Sequence, residues 1–163
     1  MKNNKGFSLV ELIIVIAIMA ILVGVMAPQL IKYIEKTNVS SDTQLCDTVK
    51  NAITTAMMDP SVVTNPSAGI PSANSDTLVS AIGTSTDDTT FAGAVTEILG
   101  FSPVDIDNHL KSEARPGKNG GSVYFNIVGS NSVHVWIAGS DKDGKKGAGS
   151  GYANDAAHWI YVD

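Results

Sequence analysis

The sequence predicts an α+β fold in which one long N-terminal α-helix packs against a small C-terminal antiparallel β-sheet. Three observations support this fold class: an apolar run near the N-terminus, an amphipathic stretch at helical spacing after it, and strand-like alternation near the C-terminus. The predicted domain organisation comprises a leader at residues 1–6, a transmembrane helix at 7–28, its amphipathic continuation at 29–59 and a globular head at 60–163.

The apolar run extends over 21 residues from Phe7 to Ala27, and Glu11 is its only charged residue. At about 1.5 Å of rise per residue, a helix of this length spans the roughly 30 Å hydrocarbon core of a bilayer. Lys2 and Lys5 precede the run, which favours a cytoplasmic N-terminus and an exported remainder. The run is therefore predicted to be a single membrane-spanning helix.

Glu11 is anomalous because an ionisable residue inside an apolar helix costs about 2.5–3.5 kcal/mol at the helix centre and less near an end. No Lys or Arg lies between Phe7 and Leu30 to pair with it. Cleavage after Gly6 would free an amine at Phe7, which could pair with Glu11 in the same chain or in a neighbouring copy. The alternative is a carboxylate that snorkels to the membrane interface.

The stretch Gly6-Phe7-Ser8-Leu9-Val10-Glu11 resembles the cleavage and methylation motif of type IV pilins and type II secretion pseudopilins. Pro28 lies where those families also place a proline. The resemblance implies that a peptidase cuts between Gly6 and Phe7 and methylates the new amine of Phe7, and that Glu11 pairs with the amine of an adjacent subunit during assembly. The implied architecture is pilin-like.

The same resemblance implies the partners of the chain. They are a prepilin peptidase and methyltransferase, an inner-membrane assembly platform, the membrane before assembly, and copies of the chain itself in a helical filament. It also implies a single-pass membrane protein before assembly and an extracellular pilus afterwards.

After the apolar run, Pro28 lacks an amide hydrogen and Gly24 adds flexibility, so a break or kink is expected before the helix resumes. The helix is predicted to end at Asp59-Pro60. Apolar residues recur along one face and are predicted to pack on the head: Leu30, Ile34, Leu45, Val49, Ala52, Ile53, Ala56 and Met57. The other face is predicted to carry the charged residues Lys32, Glu35, Lys36, Asp42, Asp47 and Lys50.

The first part of the head, residues 60–120, is predicted to be loop with short helices. The predicted elements are a loop over 60–73, a turn through Ile82 capped by Asn74-Ser75-Asp76, a helix Phe91–Leu99 capped by Thr89-Thr90 and ended by Gly100, and a single turn after Ser102-Pro103. An antiparallel sheet follows at 121–163. Its predicted strands are Ser122–Val128, Ser132–Ala138 and His158–Val162, with a hairpin turn at Gly129-Ser130-Asn131.

Composition narrows the possible functions. The formal charge of −5 does not favour a nucleic-acid partner, because phosphate binding needs a basic patch. Aromatic residues make up 6% and charged residues 17%, which suits a loop-rich extracellular head better than a deep-pocketed enzyme. The single cysteine, Cys46, is predicted to be a small buried apolar residue, with an intersubunit disulfide as the alternative.

The glycine-rich stretch from Gly139 to Gly151 is a candidate cation site, because its backbone carbonyls could converge with carboxylates. The stretch from Ser140 through Asp155 resembles the calcium loop of major pseudopilins. That resemblance implies Asp143 and Asp155 as calcium ligands, with Asp141 as a further candidate. The alternative is an ordinary acidic, glycine-rich surface turn.

Together these features favour a structural protein and not an enzyme: a subunit of an extracellular type IV pilus that polymerises through its N-terminal helix. The alternative is a major pseudopilin of a type II secretion system. A third hypothesis is a membrane-anchored enzyme or adhesin that shares only the export motif, but the sequence contains no catalytic triad pattern, metal set or nucleotide-binding loop to support it.

Overall fold

The structure is a computed structural model that describes residues 8–112, 121–129 and 132–138 and the backbone of 160–162. The α+β class is confirmed, since a long N-terminal helix is followed by a small antiparallel sheet. The chain divides into two compact units, an N-terminal unit of Met1–Thr37 and a C-terminal unit of Asn38–Asp163. In chain order, the helices and strands are α1 Leu9–Met58, α2 Pro60–Val63, β1 Thr77–Leu78, α3 Phe91–Leu99, β2 Ser122–Val128, β3 Ser132–Ala138 and β4 Ile160–Val162.

Helix α1 is 50 residues long and includes Pro28 within its length. The predicted break at Pro28 does not occur. A proline inside a helix removes one amide donor, here the one that would bond the carbonyl of Gly24, while the turns on either side keep theirs. The helix ends at Met58, one residue before the predicted stop at Asp59.

The core of the C-terminal unit joins one face of α1 to one face of the sheet. Its helix residues are Cys46, Val49, Ala52, Ile53 and Ala56, and its strand residues are Val123, Phe125, Ile127, Val133, Val135 and Ile137. Leu45 and Met57 pack at the edge of this core. The predicted apolar stripe is therefore confirmed from Leu45 onward. It is wrong for Leu30 and Ile34, which are 59% and 50% exposed and lie in the N-terminal unit.

The sheet has the strand order β1-β2-β3-β4, and every neighbouring pair is antiparallel. The predicted hairpin is confirmed, because β2 and β3 pair from Val128 with Ser132 to Ser122 with Ala138. Strand β1 was not predicted and pairs with Tyr124 and Phe125. Strand β4 covers Ile160–Val162 of the predicted His158–Val162, and His158 lies outside the described residues.

The connecting segment confirms several predicted caps. The hydroxyl of Thr90 accepts a hydrogen bond from the amide of Gly93 at 3.1 Å, and Gly100 ends α3 in the left-handed conformation with a φ of 76°. Ser102 caps a 3₁₀ helix at Pro103–His109.

Two predictions in this segment are wrong. Residues 60–63 form α2 in place of loop, because the side chain of Asp59 caps them. The turn expected to be capped by Asn74-Ser75-Asp76 is a 3₁₀ turn, Val79–Ile82, without a side-chain cap. Residues 77–78 pair with β2 and are extended, so the turn cannot begin directly after the predicted cap.

Candidate processing and assembly site

The first turn of α1 carries a hydrogen-bonded carboxylate. The amide of Ser8 donates to Oε2 of Glu11 at 2.9 Å, and the carbonyl of Ser8 accepts from the amide of Leu12 at 3.3 Å. This contact is one half of a capping box. In that motif, the side chain of the third helical residue accepts a hydrogen bond from the backbone amide of the residue that precedes the helix. A negative carboxylate is also stabilised by the positive end of the helix dipole.

The Ser8 contact is a feature that sequence reasoning missed. The Ser-x-x-Glu spacing from Ser8 to Glu11 is a recognisable capping signal, so this partner of Glu11 could have been predicted from the sequence. A carboxylate has about four lone-pair sites, so the Ser8 bond leaves acceptor capacity for an amine. Gly6 and Phe7, the predicted cleavage site, lie outside the described residues.

The apolar side chains of α1 from Leu9 to Ile34 are exposed in the single chain. The large ones are between 47% and 73% exposed. In the described part of the chain, α1 is the one helix that is long and apolar enough to cross a membrane. A helix that is apolar all round requires a nonaqueous environment, and lipid or neighbouring helices can supply it.

Residues 1–27 match the family model described as the prokaryotic N-terminal methylation motif. The chain carries a prepilin-type signal. This signal includes Gly6, Phe7 and Glu11, and the match ends one residue before Pro28. No curated protein and no solved structure matches the chain significantly.

The prepilin-type signal supports a type IV pilin-like or pseudopilin precursor. It implies processing by a prepilin peptidase and assembly into a filament. Together with the apolar helix, it fits membrane anchoring before assembly, and it points to a structural subunit.

A second carboxylate on α1, that of Asp42, is fully buried. Its Oδ1 accepts from the amide of Lys111 and its Oδ2 from the amide of Ser112, each at 2.9 Å. The prediction that Asp42 lies on the solvated face is therefore wrong. Asp42 precedes Cys46 by one turn, so it continues the buried face, and its partners are 69 and 70 residues away, where local periodicity gives no signal.

Cys46 is fully buried and forms no disulfide. Burial, with smaller contributions from the charges of Asp42 and Asp47, raises the pKa of its thiol to about 12. The thiolate is the reactive form, so this thiol is inert near neutral pH. The interpretation of Cys46 as a small buried apolar residue is confirmed. The alternative of an intersubunit disulfide is wrong for the folded chain, because the thiol is not accessible.

Two aspartates, Asp59 and Asp87, fix turns in the C-terminal unit. The hydroxyl of Ser61, followed by its amide, lowers the pKa of the Asp59 carboxyl, and Thr89 acts in the same way on Asp87. In both cases hydrogen bonds to the charged form favour it. These carboxylates organise the starts of α2 and of the turn before α3.

The candidate calcium ligands Asp141, Asp143 and Asp155 lie outside the described residues. Within the described part of the chain, no three His, Cys, Asp or Glu side chains converge on a point where a metal could bind. An open groove of about 430 Å³ beside α3 is lined by Ser85, Thr86, Asp88, Gly93, Thr96 and Glu97.

Proposed function

We propose that the chain is the structural subunit of an extracellular type IV pilus. The observation that supports this most is the prepilin-type signal at the start of a helix whose apolar side chains have no cover in the single chain. Packing of these helices side by side would bury them in a filament core, since van der Waals packing holds apolar helices together. The separately packed C-terminal unit would form the filament surface.

In this mechanism, hydrolysis of the Gly6–Phe7 peptide bond releases a six-residue leader and leaves a free amine on Phe7. A methyl group is then transferred to that amine from a separate methyl donor, which leaves without its methyl group, and the amine loses a proton. The carboxylate of Glu11, held at the start of α1 by the amide of Ser8, receives the positively charged amine of an adjacent copy. Pairing a charge in an apolar environment offsets its desolvation, so the contact favours one axial register over others.

The role of Glu11 in register can be tested with Glu11→Ala. We expect cleavage after Gly6 to proceed normally and the amount of surface filaments to fall sharply, as measured by electron microscopy and by immunoblots of sheared material. Glu11→Gln is the matched variant, because a glutamine can keep the capping bond with Ser8 but carries no charge. Normal filaments in both variants would contradict the proposed role.

The cleavage site can be tested with Gly6→Ala. We expect the precursor to accumulate uncut, because the side chain would intrude at the scissile bond. Mass spectrometry of the purified chain would reveal whether the leader is retained. A mature protein that still begins at Phe7 would count against the assigned site.

The alternative function is a major pseudopilin of a type II secretion system, which the glycine-rich stretch from Gly139 to Gly151 favours. In that case we propose calcium bound by Asp143 and Asp155, with Asp141 as a further ligand. Thermal unfolding of the full chain in detergent, with calcium or with a chelator, tests the metal site. A shift in Tm that Asp143→Ala abolishes would support it, and equal melting temperatures would exclude it.

Electron microscopy of cells with and without the gene separates the two functions. Long surface filaments that disappear with the gene are expected for a pilus subunit. A loss of protein secretion without a loss of surface filaments would favour the pseudopilin.

A further inference from the structure

An apolar groove of about 510 Å³ lies along α1 within the N-terminal unit. The residues that line it recur at helical spacing and share one face of the helix: Val23, Met26, Ala27, Gln29, Leu30 and Tyr33. At about 1.5 Å of rise per residue, the groove is roughly 15 Å long. The hydrocarbon core of a bilayer is roughly 30 Å thick, so the groove has the length of the acyl layer of one leaflet.

The C-terminal end of this groove is polar. Gln29 and Tyr33 line it there, and both side chains are exposed. Lys32 and Lys36 lie on the same face of α1, because they follow Gln29 by three and seven residues. The Cα–Cβ bonds of a helix tilt toward its N-terminus, so both lysine side chains leave the backbone in the direction of the groove.

The exposed charge at this end of the groove is positive. Lys32 and Lys36 are exposed, whereas Glu35, the acidic residue of the same turn, is half-buried. The two ammonium groups, the amide of Gln29 and the hydroxyl of Tyr33 are all hydrogen-bond donors. Donors that carry positive charge are suited to an anionic phosphate group.

The lysines also lie at the height where the head groups of a lipid would be. From Leu9 to Leu30 the helix rises by roughly 32 Å, and Glu11 is the only charged residue of that stretch. When this stretch spans a bilayer, Lys32 comes just beyond the hydrocarbon core. Lysine and tyrosine are typical of this level, where an ammonium or a phenol reaches the head groups. The groove then faces the acyl chains of the same leaflet.

We propose that the groove and the two lysines form a binding site for an anionic phospholipid. One acyl chain lies along Val23, Ala27 and Leu30, and the phosphate contacts Lys32 and Lys36. Packing in the groove is common to all phospholipids, whereas the lysines select those whose head group is negative. The inference rests on insertion of α1 in a membrane, and it goes beyond the proposed filament because it assigns a ligand to the subunit before assembly.

Native mass spectrometry of the full chain, purified in a mild detergent, tests the ligand directly. The probes are phosphatidylglycerol and phosphatidylcholine with identical acyl chains. We expect one phosphatidylglycerol to be retained at a concentration about tenfold or more below that needed for phosphatidylcholine, because each lysine near an anionic group favours binding by about fivefold. Equal retention of the two lipids would overturn the proposal.

Substitution of the two lysines tests the head-group contact. Lys32→Gln with Lys36→Gln removes both charges and should abolish the preference for phosphatidylglycerol. Lys50→Gln is the matched control, because Lys50 lies on the same helix but in the C-terminal unit, and it should keep the preference. A double variant that still prefers phosphatidylglycerol would refute the assignment of these lysines.

Substitution in the groove tests the acyl-chain contact. Ala27→Leu places a larger side chain in the groove and should weaken retention of both lipids severalfold. Ala17→Leu is the matched control, because Ala17 lies on the same apolar segment but does not line the groove. Equal effects of the two variants would refute the groove as the site. An unaltered chain that elutes as a dimer and retains neither lipid would show that copies of the chain cover the groove, and would overturn the proposal.

Failure of the lipid site can be distinguished from failure of the proposed function. Alkaline carbonate extraction of cell membranes tests anchoring by itself, because an inserted chain stays in the membrane pellet. Filament assembly plays no part in the lipid measurements. A chain that is inserted and forms filaments but shows no preference for phosphatidylglycerol would overturn the lipid site alone.

Discussion

The two units of the chain treat their apolar side chains in opposite ways. In the N-terminal unit, the described leucines, isoleucines and valines of α1 are exposed, whereas in the C-terminal unit most of these residue types on α1, β2 and β3 are buried in a shared core. The C-terminal unit therefore completes its hydrophobic burial within one copy. The N-terminal unit can complete it only in lipid or against other chains. One continuous helix thus serves two different requirements.

The largest expected difference between the units comes from the same substitution at two isoleucines of α1. Ile53→Ala removes a fully buried side chain and should lower the free energy of unfolding by about 2–5 kcal/mol. Ile31→Ala, at a position 69% exposed, should change it by less than about 0.5 kcal/mol. Urea unfolding of the full chain in detergent, followed by tryptophan fluorescence, measures both. Equal losses of unfolding free energy in the two variants would contradict the difference between the two units.

A matched pair of aspartates gives the next largest effect. Asp42→Ala leaves the amides of Lys111 and Ser112 without their acceptors and should cost about 2–3 kcal/mol. Asp47→Ala, one and a half turns away on the exposed face, should have almost no effect on the isolated subunit. Urea midpoints of the two variants provide the test. If Asp47→Ala lost as much stability as Asp42→Ala, burial would not explain the difference expected between the two aspartates.

Substitution of glycine by alanine should lower stability at one position and raise it at another. A Cβ at Gly93 would lie 1.9 Å from the carbonyl oxygen of Asp87, so Gly93→Ala should destabilise the C-terminal unit by about 1–3 kcal/mol. A Cβ at Gly24 meets nothing within 4 Å, and alanine there should favour helix by up to about 1 kcal/mol. Circular dichroism during thermal unfolding of both variants measures the signs. A stabilised Gly93→Ala would refute the tight contact.

The smallest effect at neutral pH concerns Cys46. In the folded chain the pKa of the Cys46 thiol is about 12, above the ordinary value of 9.0. As the pH rises, the thiol of the unfolded chain therefore ionises first. The contribution of the buried thiol to stability is full below pH 9 and is lost as the pH rises toward 12. Maleimide should label the native chain very slowly at pH 8 and fully in urea. Between pH 9 and 10, stability should fall by about 1 kcal/mol more than in Cys46→Ala. Rapid labelling of the native chain would contradict burial.

Local sequence signals predicted the elements that depend on neighbours in the chain. The periodicity of α1, the Thr90 cap of α3 and the alternation of β2 and β3 are all properties of consecutive residues. Asp59-Pro60 was interpreted as a stop only, although an aspartate cap followed by proline is equally a helix start, and α2 begins there. The sequence thus contains both a helix stop and a helix start at this point, and only the stop was predicted.

The features that could not be predicted depend on distant residues. Strand β1 is two residues long and exists because Tyr124 and Phe125 pair with it. The burial of Asp42 depends on amides that arrive from residues 111 and 112. The processing motif was recognisable because it is linear, and the match to residues 1–27 confirms the motif. The roles of Gly6, Phe7 and Glu11 within it stay predictions.

The buried thiol of Cys46 has a practical consequence. A protein whose native cysteine is silent toward maleimides needs no cysteine-free background, so a single cysteine introduced at any exposed position becomes the selective attachment point for a fluorophore or spin label. Assembly of the proposed filament could then be followed in living cells with subunits that differ from the natural chain at one surface position.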